Sequence, residues 1–181
     1  LLGYTQHVES EQGESPNLQQ QSSLKTELLQ KLSDDLGQYG IEHDMDVSHA
    51  VLRFTSEGLL FASGKADLPK KQQTIWQDIA SVLEKNLVCY INWQGAVVKT
   101  YCQIPQQAKL KSIIIEGHTD NVPVSATTYA KDNIELSAKR AKSVYDKIVN
   151  KTTLLDLQNN ASEALFTMAA YGDSQPLNHY L

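Results

Sequence analysis

Ser112-Ile-Ile-Ile-Glu-Gly-His-Thr-Asp-Asn121 is the stretch that decides how this chain folds. Ile113, Ile114 and Ile115 form a β-branched run, which predicts a short strand over 112–116 of the kind buried on both faces. Gly117 is read as its breaker. The polar run Glu116 to Asn121 then falls in the loop leaving the strand's carboxyl end, where α/β sheets commonly place ligands. Such a strand needs helices to cover it, and the flanking sequence supplies them.

Downstream, Asp132-Asn133 can cap a helix whose inward face is Ile134, Ala141, Val144, Tyr145 and Ile148. A short helical stretch falls near Leu154–Gln158. Ala164–Tyr171 reads as a last strand, stopped by Gly172. Upstream, Ile75, Ile79, Val82 and Leu83 mark one face of a helix running from Pro69, a residue suited to a first turn, to about Leu87. Ala50–Thr55 reads as a strand, followed by a turn-rich stretch, 58–64, that carries Leu60-Phe61. From Ser23, Leu24, Leu28, Leu32 and Leu36 recur every four residues, an amphipathic helix ended by Gly37 or Gly40. Residues 3–22, rich in Gln, Glu and Ser and carrying Pro16, bury too little to offset their ordering entropy and read as a linker. The order is αβαβαβ. Strands separated by helices imply crossovers and a helix-backed sheet, at least partly parallel.

The 181 residues suit one domain with a tail: 1–22 as linker, 23–181 as the domain, and an insert at 88–111. With 16 Lys+Arg against 21 Asp+Glu and no dense basic run, the chain lacks the positive stripe a nucleic-acid binder needs. No apolar stretch reaches the ~18 residues of a membrane span, and no signal-peptide pattern is present. The two cysteines, Cys89 and Cys102, lack the further ligands that a zinc site requires. One disulfide closing a short loop, which implies an oxidising compartment, is one reading; two unrelated buried thiols are the other.

Among residues that could carry chemistry, Asp120 and Arg140 stand out. Arg140 falls about two turns into the predicted third helix, so the two can face one pocket. A guanidinium opposite a carboxylate suits a zwitterion, Arg140 forking onto its carboxylate and Asp120 accepting from its ammonium. The same residues also fit an Asx-turn at Asp120 and a surface or capping arginine. Ser137, His118 and Asp120 supply triad residue types, but no nucleophile elbow surrounds a serine. Glu42 to Asp46 holds potential metal ligands without a metal-binding spacing, and a solvated connection explains it as well. No metal, cofactor or catalytic set is compelled.

Four pieces in order resemble the OmpA-like peptidoglycan-binding family, which includes the C-terminal domains of OmpA, Pal and MotB. Val51–Phe54 with Leu60-Phe61-Ala-Ser-Gly-Lys-Ala66 is similar to its first strand and "LF-x-x-G-x-A" turn. Ile113 to Asp120 resembles its central strand and "GHTD" signature. Asn133-x-x-Leu136-Ser137-x-x-Arg140-Ala141 resembles its "N-x-x-LS-x-x-RA" helix. Ala170-Tyr171-Gly172-Asp173-x-x-Pro176 resembles its strand exit. The resemblance implies a two-layer sandwich of helices on a small mixed sheet. It also implies a non-enzymatic domain, without cofactor, that grips the diaminopimelate of peptidoglycan stem peptides. By motif position Asp120 and Arg140 would hold that group, with Thr119, Asn133 and Leu136 lining the pocket and His118 structural.

The chain departs from the family by stopping before the usual "NRR" segment and final strand, and by its Cys89–Cys102 insert. The insert resembles cysteine-bearing members that follow a membrane helix, such as MotB-type stator subunits, those of Zorya anti-phage defence included. That implies a periplasmic domain held at the inner membrane by a segment upstream of Leu1, with Leu1-Leu2-Gly3-Tyr4 as the tail of that membrane helix and residues 5–22 as a juxtamembrane linker. A homodimer and a membrane-embedded partner subunit are then expected, with dimerisation through the Leu24–Leu36 helix one arrangement. An outer-membrane lipoprotein or porin anchor fits the domain too, and a hydrolase reading would require His118.

Overall fold

Pro16 opens the first helix of the computed structural model, which describes residues 16–54, 61–68, 73–91, 110–125, 130–150, 152–159 and 161–175. Helix α1 spans Pro16–Gln38 and runs unbroken across position 22, where the linker was expected to end. Proline is tolerated at a first helical position, and the Asn-Leu-Gln-Gln-Gln that follows contains good helix formers. Composition alone therefore missed the first two turns. Residues 1–15 lie outside the described residues. Of the two glycines expected to end α1, Gly40 does so, at φ +68°. Its N–H reaches Gly37 O at 3.0 Å and the Ile41 N–H reaches Leu36 O at 3.1 Å, which satisfies the last carbonyls.

The leucine stripe of α1 is spent inside the molecule. Leu28, Leu32 and Leu36 are buried and Leu24 is half-buried in one core with Trp76, Ile79 and Val82 of α2, Gln73–Leu87. The expectation that this stripe joins two copies is corrected: at 6% exposure Leu28 offers no docking surface. Residues 69–72, the expected start of α2, lie outside the described residues. Asp35 ties the two helices, accepting from Lys85 Nζ at 2.9 Å and from Asn86 Nδ2 at 2.8 Å. The Asn86 bond and then Lys85 hold its carboxyl below the usual carboxylate range.

Between these helices lies a hairpin in which only the second strand was expected. β1, His43–Asp46, pairs antiparallel with β2, Val51–Phe54, His43 opposite Phe54 and Asp46 opposite Val51. β1 reads His-Asp-Met-Asp, with no apolar alternation to announce it. Its turn is held by Asp46, which accepts from Ser48 Oγ at 2.6 Å and from the His49 N–H at 3.2 Å.

The quoted stretch forms β3, Ile113–His118, parallel to β4, Phe166–Gly172, with Ile113 opposite Phe166 and Glu116 opposite Ala169. Helix α3, Asn133–Ile148, connects them and packs on both strands. The architecture is α/β, in the order α–ββ–α–β–α–β, and among the described residues the strands form two separate pairs. Two expectations about β3 are corrected. It is covered on one face only: Ile113 and Ile115 pack toward the core while Ile114 stays 50% exposed. Nor does Gly117 break it. The glycine lies inside the strand because a Cβ there would sit 2.0 Å from Ser137 O, so its lack of a side chain lets α3 approach. Ile134, expected inward on α3, is also exposed, whereas Ala141 and Ile148 are buried and Val144 and Tyr145 pack on the core.

The short helical stretch appears as a 3-10 turn at Thr153–Asp156, and another, Val88–Tyr90, leads into the insert. Residues 92–109, Cys102 among them, lie outside the described residues, so the Cys89–Cys102 pairing stays an expectation. The two flanks of the insert meet where the Leu110 N–H donates to Tyr90 O at 2.9 Å.

Candidate functional site

The carboxyl ends of β3 and β4 meet the first two turns of α3, and the docking is set by a few small residues. Asp132 caps α3 as expected, its side chain accepting from the Glu135 N–H at 2.7 Å, while Glu135 Oε2 takes the Lys131 N–H at 2.7 Å. One turn on, Ser137 is fully buried. Its hydroxyl donates to Ile134 O at 2.8 Å and accepts from the Gly172 N–H at 3.0 Å. Gly172, at φ +57°, lies so close to α3 that a Cβ would meet Ile134 Cδ1 at 2.8 Å. Ser137 is thus a tie between helix and strand, and a fully buried hydroxyl with both roles used is no nucleophile.

This docking brings the sequence-selected residues together. Asn133 and Arg140 are seven residues apart, two turns, and share one helix face. Asn133 Nδ2 donates to Asp120 O at 3.4 Å, and Arg140 Nη1 to His118 O at 3.1 Å. Asp120 is exposed at the exit of β3, and its carboxylate accepts from the Val122 N–H at 3.3 Å. The Asx-turn and the pocket were alternatives in the sequence; the structure contains the turn and still sets Asp120 beside Arg140. Burial lowers the Arg140 pKa from its ordinary value and the negative charge of Asp120 offsets it. Among the described residues Arg140 forms no ion pair. Its guanidinium is held instead by neutral groups: Nε donates to Lys65 O at 3.0 Å, Nη2 to Ala62 O at 3.5 Å, and the Phe61 ring lies 5.2 Å from the guanidinium carbon.

Two polar atoms here have no partner. Thr119 is 5% exposed and Asn133 9%, yet Thr119 Oγ1 and Asn133 Oδ1 lack a hydrogen bond. The contact of Asn133 Nδ2 with a carbonyl fixes the orientation of its amide, so the orphan is an acceptor. A buried polar atom left unpaired costs about 1–3 kcal/mol, which sets these two apart from the rest of the fold. Leu136 is buried outside the main core cluster. An open cleft of about 390 Å³ adjoins Asn133, walled by Asn121, Pro123, Val124, Asp132 and Asp173.

His118 points away from Arg140. Its Nδ1 lies 2.7 Å from Gln175 O, its Nε2 3.3 Å from Glu116 Oε2, and its ring stacks on Tyr171 with centroids 5.2 Å apart. Both nitrogens thus face acceptors, which makes His118 a brace between β3 and the exit of β4. Glu116 also receives the Tyr171 hydroxyl at 3.3 Å, and its charge raises the Tyr171 pKa. Ser137, His118 and Asp120 do not assemble into a triad. Ser48, His49 and Asp46 cluster in the hairpin turn, but Ser48 and Asp46 share the same His49 nitrogen and so form a turn brace. Among the described residues no three His, Cys, Asp or Glu side chains gather as metal ligands, and no helix is long and apolar enough to cross a membrane. The supports of Arg140 at 61–65 were recognised in the sequence only as a turn. Backbone carbonyls leave no residue-type signature, and the Phe61 ring alone could have hinted at the contact.

Comparison with known proteins agrees with this architecture. The chain is similar in structure to a MotB-like protein from Desulfovibrio vulgaris, with a TM-score of 0.58 and 21% identity over 88% of this chain and 84% of that one. It also matches the cell wall anchor of the T6SS from Pseudomonas aeruginosa, with a TM-score of 0.48 and 21% identity over 83% of this chain and 82% of that one. None of the curated proteins compared matches significantly. The family model that matches residues 92–180 is that of the OmpA family, so the segment that carries β3, α3 and β4 is similar to that family.

Proposed function

We propose that this domain binds peptidoglycan non-covalently, through the diaminopimelate of its stem peptides, and so anchors a membrane protein to the cell wall. The observation that carries this reading is a half-buried arginine that forms no ion pair among the described residues, set beside the exposed carboxylate of Asp120. Arg140 would take the ligand carboxylate. Asp120 would take the ammonium, with Thr119, Asn133 and Leu136 lining the pocket. Diaminopimelate carries both a spare ammonium and a spare carboxylate, whereas a lysine side chain lacks the second and would leave Arg140 unmatched. The match of residues 92–180 to the OmpA family model and the order of the motifs support the reading.

The decisive titration offers the protein a diaminopimelate-containing stem peptide and its lysine-containing counterpart. Saturable binding of the first only, lost in Asp120→Ala, is expected. Equal binding of both, or of neither, overturns the assignment. The placement that follows is periplasmic, in a MotB-like stator subunit held at the inner membrane and paired with a membrane-embedded subunit. The fold shared with the MotB-like protein supports it. Crosslinking in whole cells that recovers no integral membrane partner would remove the stator part while leaving wall binding intact. The Cys89–Cys102 disulfide belongs to the same reading, and the described residues contain no free cysteine.

A further inference from the structure

Arginine forks are long and flexible, and holding one still costs rotamer entropy. Arg140 is already held. The turn 62–65 closes through the Lys65 N–H on Ala62 O at 2.9 Å, with Gly64 at φ +65° in the third position, which demands a left-handed residue. That geometry turns the carbonyls of Lys65 and Ala62 toward Nε and Nη2, while His118 O takes Nη1. The face of Phe61 covers the guanidinium. Three of the five N–H donors are thereby occupied, one on each nitrogen, leaving one on each terminal nitrogen for the two oxygens of a single carboxylate. Every one of these supports is neutral, so the guanidinium is fixed in place without an ion pair among the described residues, with the charge of Asp120 nearby.

We infer that the loop 61–65 is a positioning device for Arg140: Phe61 and the Gly64 turn set affinity and selectivity for a carboxylate ligand that neither of them touches. The inference rests on the peptidoglycan reading and adds residues to it. Preordered groups bind more tightly because less freedom is lost at encounter. A guanidinium released from its cradle would also accept more varied geometries, which erodes discrimination between diaminopimelate and lysine peptides.

The test pairs binding with a spectroscopic signal from the free protein. The ¹⁵N resonance of the Arg140 Nε–H, identified by its loss in Arg140→Lys, is expected to be ring-current-shifted and slow to exchange with water. Phe61→Leu should abolish the shift and weaken binding of the diaminopimelate stem peptide about tenfold, the scale of a partly desolvated cation–π contact. Phe61→Tyr should restore both. Gly64→Ala, which strains the turn without altering Phe61, should speed the exchange and weaken binding in the same direction. Wild-type binding that survives both Phe61→Leu and Gly64→Ala unchanged overturns the inference while leaving the peptidoglycan reading intact. A wild type that binds no stem peptide overturns that reading instead. An Nε–H that exchanges freely in the unliganded wild type disproves the cradle whatever the ligand.

Discussion

Arg140 and Asp120 share one site but not one role in the fold, and substitutions should separate the two. Asp120 is exposed and holds one turn N–H, so Asp120→Ala should change stability by no more than about 0.5 kcal/mol while costing about 2–5 kcal/mol of binding. Arg140→Ala should abolish binding too, but it also removes three hydrogen bonds that attach loop 61–65 to the strand ends, so its melting temperature should fall visibly. Calorimetry and thermal melts on both variants check this, and an unchanged melt for Arg140→Ala would contradict the bonding described. Tyr90 offers a second test at this scale. Burial chiefly, and the nearby Glu27 charge, push its hydroxyl up to about 12. A raised folded pKa means stability is fully present below the unfolded value of 10 and is lost as pH rises toward about 12. Tyr90→Phe should flatten the alkaline limb of denaturant-melt midpoints against pH. Asp120 and Arg140 stand out in the sequence as candidates because charge chemistry is carried in residue type. The neutral supports of Arg140 were not, because any residue has a carbonyl.

At the level of elements, the site depends on how closely α3 meets β3 and β4. Gly117→Ala would push a methyl against the Ser137 carbonyl, and overpacking of this kind costs about 1–3 kcal/mol or more. Ser137→Ala strands the buried Gly172 N–H and should cost about 1–3 kcal/mol. Both variants should weaken binding as well, since the contact they disturb sets Asn133 beside Asp120. Urea denaturation of each, followed by titration, measures the two effects separately. Helix α3, its Asp132 cap and strand β4 are legible from periodicity and capping chemistry, which are local. Strand β1 is not, because His43 to Asp46 pair only through their backbone with Val51–Phe54 and carry no alternation of their own. Gly117 misleads for a related reason. A glycine that ends a strand and one that admits a neighbouring helix look the same until the helix is in place.

Over the whole molecule, the main core lies between α1, α2 and the 3-10 turn at 153–156, and it reaches the inner face of β3 and β4. The insert leaves this core at Tyr90 and returns at Leu110. If Cys89 and Cys102 close it, reduction should lower stability by about 3 kcal/mol, the chain-entropy value for a loop of this size, with Cys102→Ser behaving alike in oxidising and reducing buffer. A melt indifferent to reductant would argue for separate thiols. By itself the sequence determined the class of fold and the order of its helices, and it offered Asp120 and Arg140 as a candidate pair. Those rest on periodicity, capping and residue chemistry, which act over a few positions. Only the tertiary structure decided that the leucine stripe of α1 is buried within the chain, that β3 has one open face, and that Arg140 is held by carbonyls from positions 62, 65 and 118. Each of these depends on which distant surface arrives opposite a given residue, and that is settled when the whole chain buries its apolar area at once.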